Sequence, residues 1–395
     1  MQYKLSDKVS SLKPSVIREI FKFCTDPNII PLSAGNPAPE AFPAGEVAEI
    51  SAKILAERPI DALQYSITEG YAPLVRQLTE RMKNKFDSVK ENDQLFITSG
   101  GQQTADFVVK TLCNEGDVVL VENPSFIGAL NSFRSNGARL RSVDLQEDGI
   151  DLNALETALR EEKNAKLLYI IPNFQNPAGL TTSWEKRVKI YELCKKYGVM
   201  IMEDNPYGEI RVAGEDVPNI KSIDEDGIVV YAGSFSKVIA PGIRVGWCIA
   251  PKEVAAKMIV CKQGSDVHTN IWAQLVADSL LRDYDFEAHL SRIRSIYRGK
   301  LQLALDTLEK NMPSDFTWTR PQGGLFIWCT LPDGIDMLDF CKKAIENKVA
   351  VVPGNAFLVD ENVPCNNIRI NFSTPTDEQL VKGIEILAKT LEDMR

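Results

Sequence analysis

Short apolar runs alternate with amphipathic segments over the middle of the chain. The runs are rich in Val, Ile and Leu, which is typical of strands buried on both faces of a sheet. They cover residues 94–99, 117–123, 138–145, 165–173, 199–204, 227–234 and 244–250. Helical segments lie between several of them, such as the segment that Gly198 closes. The pattern predicts an α/β fold with a mainly parallel, seven-stranded open sheet and helices on both faces, one strand short of an eight-stranded barrel.

The two ends of the chain have different patterns. Residues 14–25 repeat apolar side chains at helical spacing and predict an amphipathic helix, whereas residues 31–45 are a proline- and glycine-rich connection. After residue 285 the pattern changes to a long helix, two apolar strands and a final helix. We therefore predict three parts: an N-terminal arm associated with the small domain (1–45), a large ligand-binding domain (46–285) and a smaller α+β domain (286–395).

The composition excludes several classes of protein. The 395 residues include 45 basic and 54 acidic side chains, so the net charge of −9 argues against a nucleic-acid partner. No run approaches the roughly 18 apolar residues of a membrane span, and charged residues interrupt the first thirty positions, unlike in a signal peptide. Eight cysteines without C-x-x-C spacing and only two histidines favour reduced thiols over a metal centre. We expect a cytoplasmic protein that binds neither metal, membrane nor nucleic acid.

Polar groups follow four of the predicted strands. They are the segments SGGQ (99–102), NFQNP (173–177), EDNPY (203–207) and SFSK (234–237). In an open α/β sheet the carboxyl ends of the strands meet at one edge, where ligands bind. Turn chemistry explains Asn, Asp and Ser individually, but it does not explain Asp204, Tyr207 and Lys237 together. The sequence therefore predicts a ligand site at this edge.

A phosphorylated carbonyl cofactor matches these groups. The 99–102 turn opens a helix whose N-terminus favours an anion, and segment 234–244 adds hydroxyl and guanidinium donors. Lys237 lies in an apolar setting, which lowers the pKa of an amine and makes it a nucleophile towards a carbonyl. Neither a G-x-G-x-x-G fingerprint nor a Walker loop is present there, which weakens nicotinamide and nucleotide interpretations. The combination indicates pyridoxal phosphate.

Four motifs, in this order, resemble those of the fold-type I, class I/II aminotransferases that depend on pyridoxal phosphate. They are N-P-A-G (176–179), D-N-P-Y (204–207), S-F-S-K-x-x-x-P-G-x-R-x-G (234–246) and R-P-x-G-G-x-F-x-W (320–328), and Arg369 completes the set. The likeness extends from about residue 15 to the C-terminus. The segments SVIREI, LQYSITEGYAPL, FQNPAG and KQGSDVHT make the 2-aminoadipate and aromatic aminotransferase branch the most similar.

The resemblance implies a role for each motif residue. Lys237 would bond to the cofactor aldehyde and then shuttle a proton, and Asp204 would keep the pyridine nitrogen protonated. Tyr207 and Asn176 would hydrogen-bond the phenolic oxygen, Asn176 would also touch the substrate, and Phe126 would stack on the ring. The residues that would hold the phosphate are Gly100, Gly101, Gln102, Ser234, Ser236 and Arg244.

The resemblance also implies a substrate site and a partner. Arg369 would bind the substrate α-carboxylate with two parallel hydrogen bonds, Gly35 would touch the substrate, and Arg18 would select its side chain. Tyr65 resembles a tyrosine that reaches the partner's phosphate across a homodimer interface, which implies shared active sites. His268 would pack near that interface.

Two positions depart from the family pattern. Gly101 stands where family members often carry a hydroxyl residue, so one phosphate donor is missing. Asn36 stands where the branch often has an apolar residue, which bears on substrate preference.

Three functions stay open beside a nicotinamide dehydrogenase, which the absent glycine fingerprint weakens. The leading hypothesis is an aminotransferase that moves an amino group from a 2-aminoadipate-, aromatic- or branched-chain-type amino acid to a 2-oxo acid such as 2-oxoglutarate, by a ping-pong cycle. A β-lyase is an alternative, because the same cofactor stores electrons for elimination. The third is the ligand-sensing module of a transcription regulator, which needs a basic helix-turn-helix domain upstream.

Overall fold

An eight-stranded mixed sheet forms the centre of the protein in the computed structural model, which describes residue 6 and residues 28–395. The strands are β1 Asp93–Thr98, β2 Val118–Asn123, β3 Arg139–Gln146, β4 Gly149–Ile150, β5 Ala165–Ile170, β6 Met200–Asp204, β7 Val229–Ser234 and β8 Gly246–Pro251. Their order is β1-β8-β7-β6-β5-β2-β3-β4. All seven predicted runs form strands, and the two-residue β4, too short to give an apolar run, adds a hairpin to β3. The predicted helix at 14–25 and Arg18 lie outside the described residues.

The strand directions bring the polar segments to one edge. β3, β2, β5, β6 and β7 are mutually parallel, whereas β8 is antiparallel to both β7 and β1. β1 therefore runs in the same direction as β7, and β8 begins where both of them end. In register, Gly246 pairs with Thr98 on one side and with Ser234 on the other. Arg244, two residues before Gly246, consequently lies at the same edge as the SGGQ and SFSK segments.

Helices cover both faces of this sheet. The α-helices of residues 28–395 are α1 Ala44–Glu57, α2 Pro59–Leu63, α3 Ala72–Phe86, α4 Gly101–Leu112, α5 Ile127–Ser135, α6 Leu152–Glu161, α7 Trp184–Tyr197, α8 Lys252–Asp266, α9 Ile271–Asp283, α10 Phe286–Asn311, α11 Met337–Glu346 and α12 Asp377–Glu392. Successive residues of β2 enter different cores: Val119 belongs to one buried cluster and Leu120 to the other. Gly198 ends α7 with a φ of 70°, the left-handed cap that its position predicts. The predicted α/β class with a mainly parallel sheet is confirmed.

A second, antiparallel sheet follows α10. Its strands are β9 Thr317–Trp318, β10 Phe326–Thr330, β11 Val352–Pro353 and β12 Asn367–Asn371, in the order β11-β12-β10-β9. The segment before α1 joins it, because the amide of Asn371 donates to the carbonyl of Leu32 at 2.7 Å. Arg369 lies in β12, paired with Trp328 and Val352. The connection at 28–38 therefore runs beside the strand that carries Arg369.

Residues 28–395 show no membrane-spanning helix, no disulfide and no metal cluster. No helix there is long and apolar enough to cross a membrane. The seven cysteines in this part are free thiols. Within the same residues, no three His, Cys, Asp or Glu side chains gather as a metal site would require.

Candidate active site

Asp204 ends β6 as a buried carboxylate with one defined partner. The hydroxyl of Tyr169, on the neighbouring strand β5, donates to Asp204 Oδ2 at 2.8 Å. The other oxygen, Oδ1, lies 3.5 Å from the point where a Cβ on Gly101 would stand. Burial raises the pKa of Asp204 to about 6, although the Tyr169 bond opposes the rise. A cation placed beside Oδ1 would therefore gain a strong interaction with this carboxylate.

Lys237 follows β7, and its amine lies near the guanidinium groups of Arg369 and Arg244. Its Nζ donates to the carbonyl of Gly35 at 2.9 Å. Burial, together with the positive charges of Arg369 and Arg244, lowers its pKa to about 8. A lysine in this state has an appreciable neutral fraction near pH 7, so it can act as a nucleophile and as a proton acceptor.

Gly100 and Arg244 form the anion-binding corner of the site. Gly100 has a φ of 84°, and a Cβ added there would collide with the Arg244 guanidinium. Arg244 itself has a φ of 53°, and its Nη2 donates to the carbonyl of Ser99 at 2.9 Å. The amides of the first turn of α4 are adjacent, at the positive end of the helix. This corner combines a guanidinium with helix amides, which is the donor set that a phosphate requires.

Two further groups border the same corner. The hydroxyl of Ser234 donates to Ser236 Oγ at 2.9 Å and accepts from the amide of Ser236, so both hydroxyls lie together. On the other side, Gln102 Nε2 donates to the carbonyl of Gly128 at 2.7 Å. A Cβ on Gly128 would collide with the Phe126 ring, so the missing side chain allows the ring to lie against Gln102 and Gly128.

A buried network behind the glycines holds this corner in place. The amine of Lys262 is fully buried and donates to Asp266, Gln103 and Thr269 at 2.9–3.1 Å. Asp266 in turn accepts from Ser99 Oγ at 2.7 Å and from Gln103 Nε2 at 2.8 Å. Since the Ser99 carbonyl holds Arg244, the network fixes the guanidinium relative to the start of α4.

Arg369 is the buried cation of the site. Its guanidinium carbon lies 4.1 Å from the ring centre of Phe326 and 5.0 Å from that of Phe357. Nη1 donates to Asn176 Oδ1 at 2.9 Å and Nη2 to the carbonyl of Ser33 at 3.0 Å, whereas Nε has no hydrogen-bond partner among residues 28–395. Burial lowers its pKa to about 10, so it stays charged at neutral pH. A carboxylate is the natural partner of such a group.

Tyr207 and Asn176 complete the wall between Asp204 and Arg369. Tyr207 is buried, and its ring meets Phe326 edge-on at 6.0 Å. Burial raises the pKa of its hydroxyl, while the nearby Arg369 charge and a hydrogen bond with Asn176 oppose the rise. Tyr207 therefore remains a neutral hydrogen-bond donor at neutral pH.

The remaining residues singled out from the sequence are Tyr65, Arg18, Gly101 and Asn36. Tyr65 is 81% exposed, and its ring packs edge-on against His268 at 5.9 Å. Arg18 lies outside the described residues. Gly101 leaves room for a Cβ 3.5 Å from Asp204 Oδ1, so the missing hydroxyl is not forced by crowding. The carbonyl of Asn36 accepts from Ser373 at 2.7 Å and from Thr374 at 2.8 Å, which ties the N-terminal connection to the small sheet.

Sequence reasoning missed the residues that hold the functional groups. Tyr169, Gln103, Lys262 and Asp266 support Asp204 or Arg244, but Tyr169 lies within an apolar run and the others on ordinary helices. The period-two alternation of β5 places Tyr169 on the same face of the sheet as Leu167, and this alternation is the sequence signal that indicates where the Tyr169 hydroxyl lies. The lysine network joins positions more than 150 residues apart, so no local pattern reveals it.

The residues at this edge fit pyridoxal phosphate on structural grounds. The glycine–arginine corner offers donors for a phosphate, and Lys237 offers an amine of lowered pKa for an aldehyde. Asp204 Oδ1 faces the intervening space and offers a negative charge for a ring nitrogen.

Comparison with known sequences agrees with this geometry. The family described as "Aminotransferase class I and II" matches residues 27–387. Aromatic-amino-acid aminotransferase 1 of Thermococcus litoralis is 38% identical over 392 residues, which cover 98% of this chain and 94% of the relative. The 2-aminoadipate transaminase of Thermus thermophilus is 37% identical over 97% of this chain and 95% of its own.

Solved structures are similar over almost the whole chain. The kynurenine aminotransferase of Pyrococcus horikoshii, in complex with PMP, gives a TM-score of 0.94 at 36% identity and covers 98% of this chain and 97% of its own. The α-aminoadipate aminotransferase of Thermus thermophilus, complexed with N-(5'-phosphopyridoxyl)-L-leucine, gives a TM-score of 0.90 at 36% identity, over 99% of this chain and 97% of its own.

Proposed function

Because the chain belongs to the class I and II aminotransferase family, we propose that the carboxyl edge of its central sheet is the transamination site. The protein is an enzyme that depends on pyridoxal phosphate and transfers amino groups. One observation carries the assignment of the site: the Lys237 amine of lowered pKa lies near the buried Arg369 guanidinium, and Tyr207 lies near both that guanidinium and the buried Asp204 carboxylate. The division into an arm, a large domain and a small domain at residues 45 and 285 is part of the proposal.

The chain's own residues hold the cofactor and move its proton. Bound pyridoxal phosphate supplies an aldehyde that captures amines and a ring that stores the electron pair released at the substrate Cα. Lys237 would hold the aldehyde through its amine and, once the substrate amine has displaced it, the free lysine would carry a proton between the substrate Cα and the cofactor. Asp204 keeps a proton on the ring nitrogen, because an ion pair with that nitrogen relieves its own burial cost. Tyr207 and Asn176 donate to the phenolic oxygen.

The phosphate and the ring face have their own contacts in this proposal. The phosphate lies in the corner formed by the glycine turn and segment 234–244. The residues that hold it are Gly100, Gly101, Gln102, Ser234, Ser236 and Arg244. Phe126 covers one face of the ring and excludes water from the reacting bonds. The donors and the burial described above support these proposed assignments.

Arg369 binds the carboxylate that all α-amino and 2-oxo acids share. Its planar guanidinium is stacked against two aromatic rings, and its Nε has no partner among the described residues. A carboxylate that replaces the carbonyl of Ser33 and pairs with two guanidinium nitrogens would be held in a bidentate geometry. Asn176 and Gly35 border the same place. Because donor and acceptor carry the same carboxylate, one site serves both halves of a ping-pong cycle.

The substrates follow from this arrangement and from the relatives. We propose amino donors of the aromatic, 2-aminoadipate or branched-chain type, since relatives named for aromatic amino acids and 2-aminoadipate match over nearly the full chain. We propose 2-oxoglutarate as the acceptor. The most informative test is a panel of amino donors with 2-oxoglutarate, scored by the glutamate formed. Glutamate formation that requires Lys237 supports transamination, whereas pyruvate and ammonia from a cysteine conjugate without amino transfer would favour a β-lyase.

A homodimer with shared sites completes the proposal. Ile60, Leu63, Tyr65 and Ile67 expose 56–81% of their surface in one short stretch, an apolar patch that a second copy of the chain would cover. Tyr65 would then reach the partner's phosphate. An equal mixture of Lys237→Ala and Tyr65→Ala subunits that pair at random should regain about a quarter of the wild-type activity, because about half of the dimers are mixed and each mixed dimer has one intact composite site out of two. No recovery would contradict shared sites without affecting the assignment of Lys237.

A further inference from the structure

Glu122, at the end of β2, is a buried acid that the proposed chemistry does not use. It is 1% exposed, and its Oε2 accepts from the amide of Ile171 at 3.0 Å and from Gln175 Nε2 at 3.1 Å. Oε1 is buried without a hydrogen-bond partner among the described residues. The carboxyl is therefore held at one oxygen only. Its two donors both belong to the chain that leads from β5 to Asn176.

The side chain of Gln175 connects Glu122 to two loops of the site. Besides the Glu122 bond, Nε2 donates to the carbonyl of Pro124 at 2.8 Å, and Oε1 accepts from the amide of Ala178 at 2.8 Å. Glu122 fixes this orientation, because a flipped amide would direct its oxygen at two acceptors. One amide thus ties the loop before Phe126 to the loop that carries Asn176.

Each of the two loops carries a residue with a proposed role towards the cofactor. Phe126 stands at the N-terminus of α5, two residues after Pro124, and its ring lies against Gly128. Asn176 directly follows Gln175 and accepts from Arg369. A change at Glu122 would therefore move the ring-stacking side chain and the amide at the phenolic oxygen together.

Glu122 has the environment of a neutral acid. Burial raises its pKa to about 8, the bonds from Ile171 and Gln175 oppose the rise, and the charge of Asp204 adds to it. An ionised Glu122 would leave an unpaired oxyanion and place a second negative charge near Asp204. The other titratable neighbour, Tyr169, is neutral because burial raises the pKa of its hydroxyl well above the ordinary value. The buried environment of Glu122 therefore favours a neutral side chain that accepts two hydrogen bonds.

We propose that Glu122 is a positioning residue of the transamination site: through Gln175 it fixes the Phe126 loop against the Asn176 loop. This inference rests on the proposed roles of Phe126 and Asn176 towards the cofactor. It gives Glu122 no contact with substrate and no proton transfer of its own.

The matched control is Glu203, another fully buried glutamate, which lies near the end of β6, and β5 separates β6 from β2. Its oxygens accept from the amides of Ile220 at 2.9 Å and Lys221 at 2.8 Å, away from both loops. Removing either acid takes an acceptor away from two buried N–H groups and lowers stability, although Gln175 Nε2 keeps its bond to the carbonyl of Pro124. Only the loss of Glu122 should alter the cofactor site.

The test compares Glu122→Ala, Glu122→Gln and Glu203→Ala as holoenzymes. Three quantities are measured: the thermal midpoint, the cofactor dissociation constant, and the pKa read from the visible absorption of bound cofactor. For Glu122→Ala we expect weaker binding by about tenfold and a spectroscopic pKa raised by about half a unit, since looser donors stabilise the phenolate less. Glu122→Gln, whose amide oxygen accepts the same two bonds, should restore both values. Glu203→Ala should lose only stability.

Gln175→Ala and Asn176→Ala test the same positioning role without changing Glu122. Gln175→Ala removes the link and should reproduce the shift even if Glu122→Ala does not fold, and a foldable double variant should shift no further than either single one. Asn176→Ala is the reference for the proposed role of the amide. If Asn176→Ala shifts the spectrum but Glu122→Ala and Gln175→Ala do not, the positioning role is wrong and the proposed function stands. If Asn176→Ala shifts nothing, the role of Asn176 is wrong and the inference falls with it.

Discussion

The hydroxyl of Tyr169 donates a 2.8 Å hydrogen bond to Oδ2 of Asp204, and both side chains are buried. The bond leaves Oδ1 directed at the space next to Gly101. It lowers the pKa of Asp204, but burial is the larger effect and raises that pKa to about 6. Asp204 is therefore a carboxylate that costs stability until a cation faces it, as is common for functional groups.

Replacing Asp204 by Asn should raise the stability of the cofactor-free protein and lower its activity. The pKa of Asp204 rises from 3.8 to about 6 on folding, so its contribution to stability falls as pH rises through this range and is constant above it. We expect cofactor-free Asp204→Asn to be more stable than wild type by about 3 kcal/mol at pH 8, and by much less at pH 4. Transamination should fall by about a thousandfold, because the amide cannot hold a proton on the ring nitrogen. Denaturant titration and steady-state kinetics check both parts, and a loss below tenfold would remove Asp204 from its role.

Gly100→Ala should release the cofactor by displacing Arg244. A Cβ at this position meets the guanidinium, and the φ of 84° adds backbone strain. Gly116 is the matched control, because its φ is 85° and no atom lies within 4 Å of an added Cβ. Both alanine variants should lose about 1 kcal/mol of stability. Only Gly100→Ala should weaken cofactor binding, by about tenfold or more, as measured by equilibrium titration. Equal binding by the two variants would place the phosphate elsewhere.

Covalent capture of the cofactor should follow the protonation of Lys237. Burial lowers the pKa of this amine from 10.5 to about 8, so its neutral fraction increases up to that pH and then levels off. The rate of covalent capture by cofactor-free enzyme should rise about tenfold from pH 6 to pH 7 and become flat above about pH 9. Stopped-flow absorbance measures this rate, and Lys237→Ala gives the noncovalent baseline. A rate that still rises steeply at pH 10 would indicate an exposed lysine instead.

Arg369→Lys should impair both substrates alike. Lysine keeps the charge but loses the planar fork and the stacking between Phe326 and Phe357. We expect kcat/KM to fall by about a hundredfold for the amino acid and for the 2-oxo acid, with cofactor affinity changed far less. Arg187→Lys is a suitable control, since Arg187 is equally buried but donates to Thr182, Pro172 and Pro218 carbonyls. It should cost stability while kcat/KM stays within about threefold of wild type.

The sequence predicts most of the strands well because both of their faces are buried, whereas β3 is largely exposed. β2 and β7 consist of residues that enter two cores, so they read as continuous apolar runs. The two-residue β4 carries no such signal. No sequence pattern predicts that β8 is antiparallel to β7, although this direction brings Arg244 and Ser234 to the same edge of the sheet.

The groups of the site are easier to predict than their supports. Lys237, Asp204 and Arg369 stand in motifs with distinctive spacing, whereas their partners are separated by long stretches of chain. Tyr169 reaches Asp204 across 35 positions, and Arg369 reaches Ser33 across 336. Such pairs depend on strand order and on the packing of the two sheets, which no local pattern contains.

The most direct test of the account is the identity of the lysine that binds the cofactor. The holoenzyme is reduced with borohydride and digested, and the phosphopyridoxyl group is located by peptide mass spectrometry. The account predicts the label on Lys237, and no label in Lys237→Ala. A label on another amine, such as the buried Lys262 behind the glycine turn, or no label on wild-type enzyme, would contradict it.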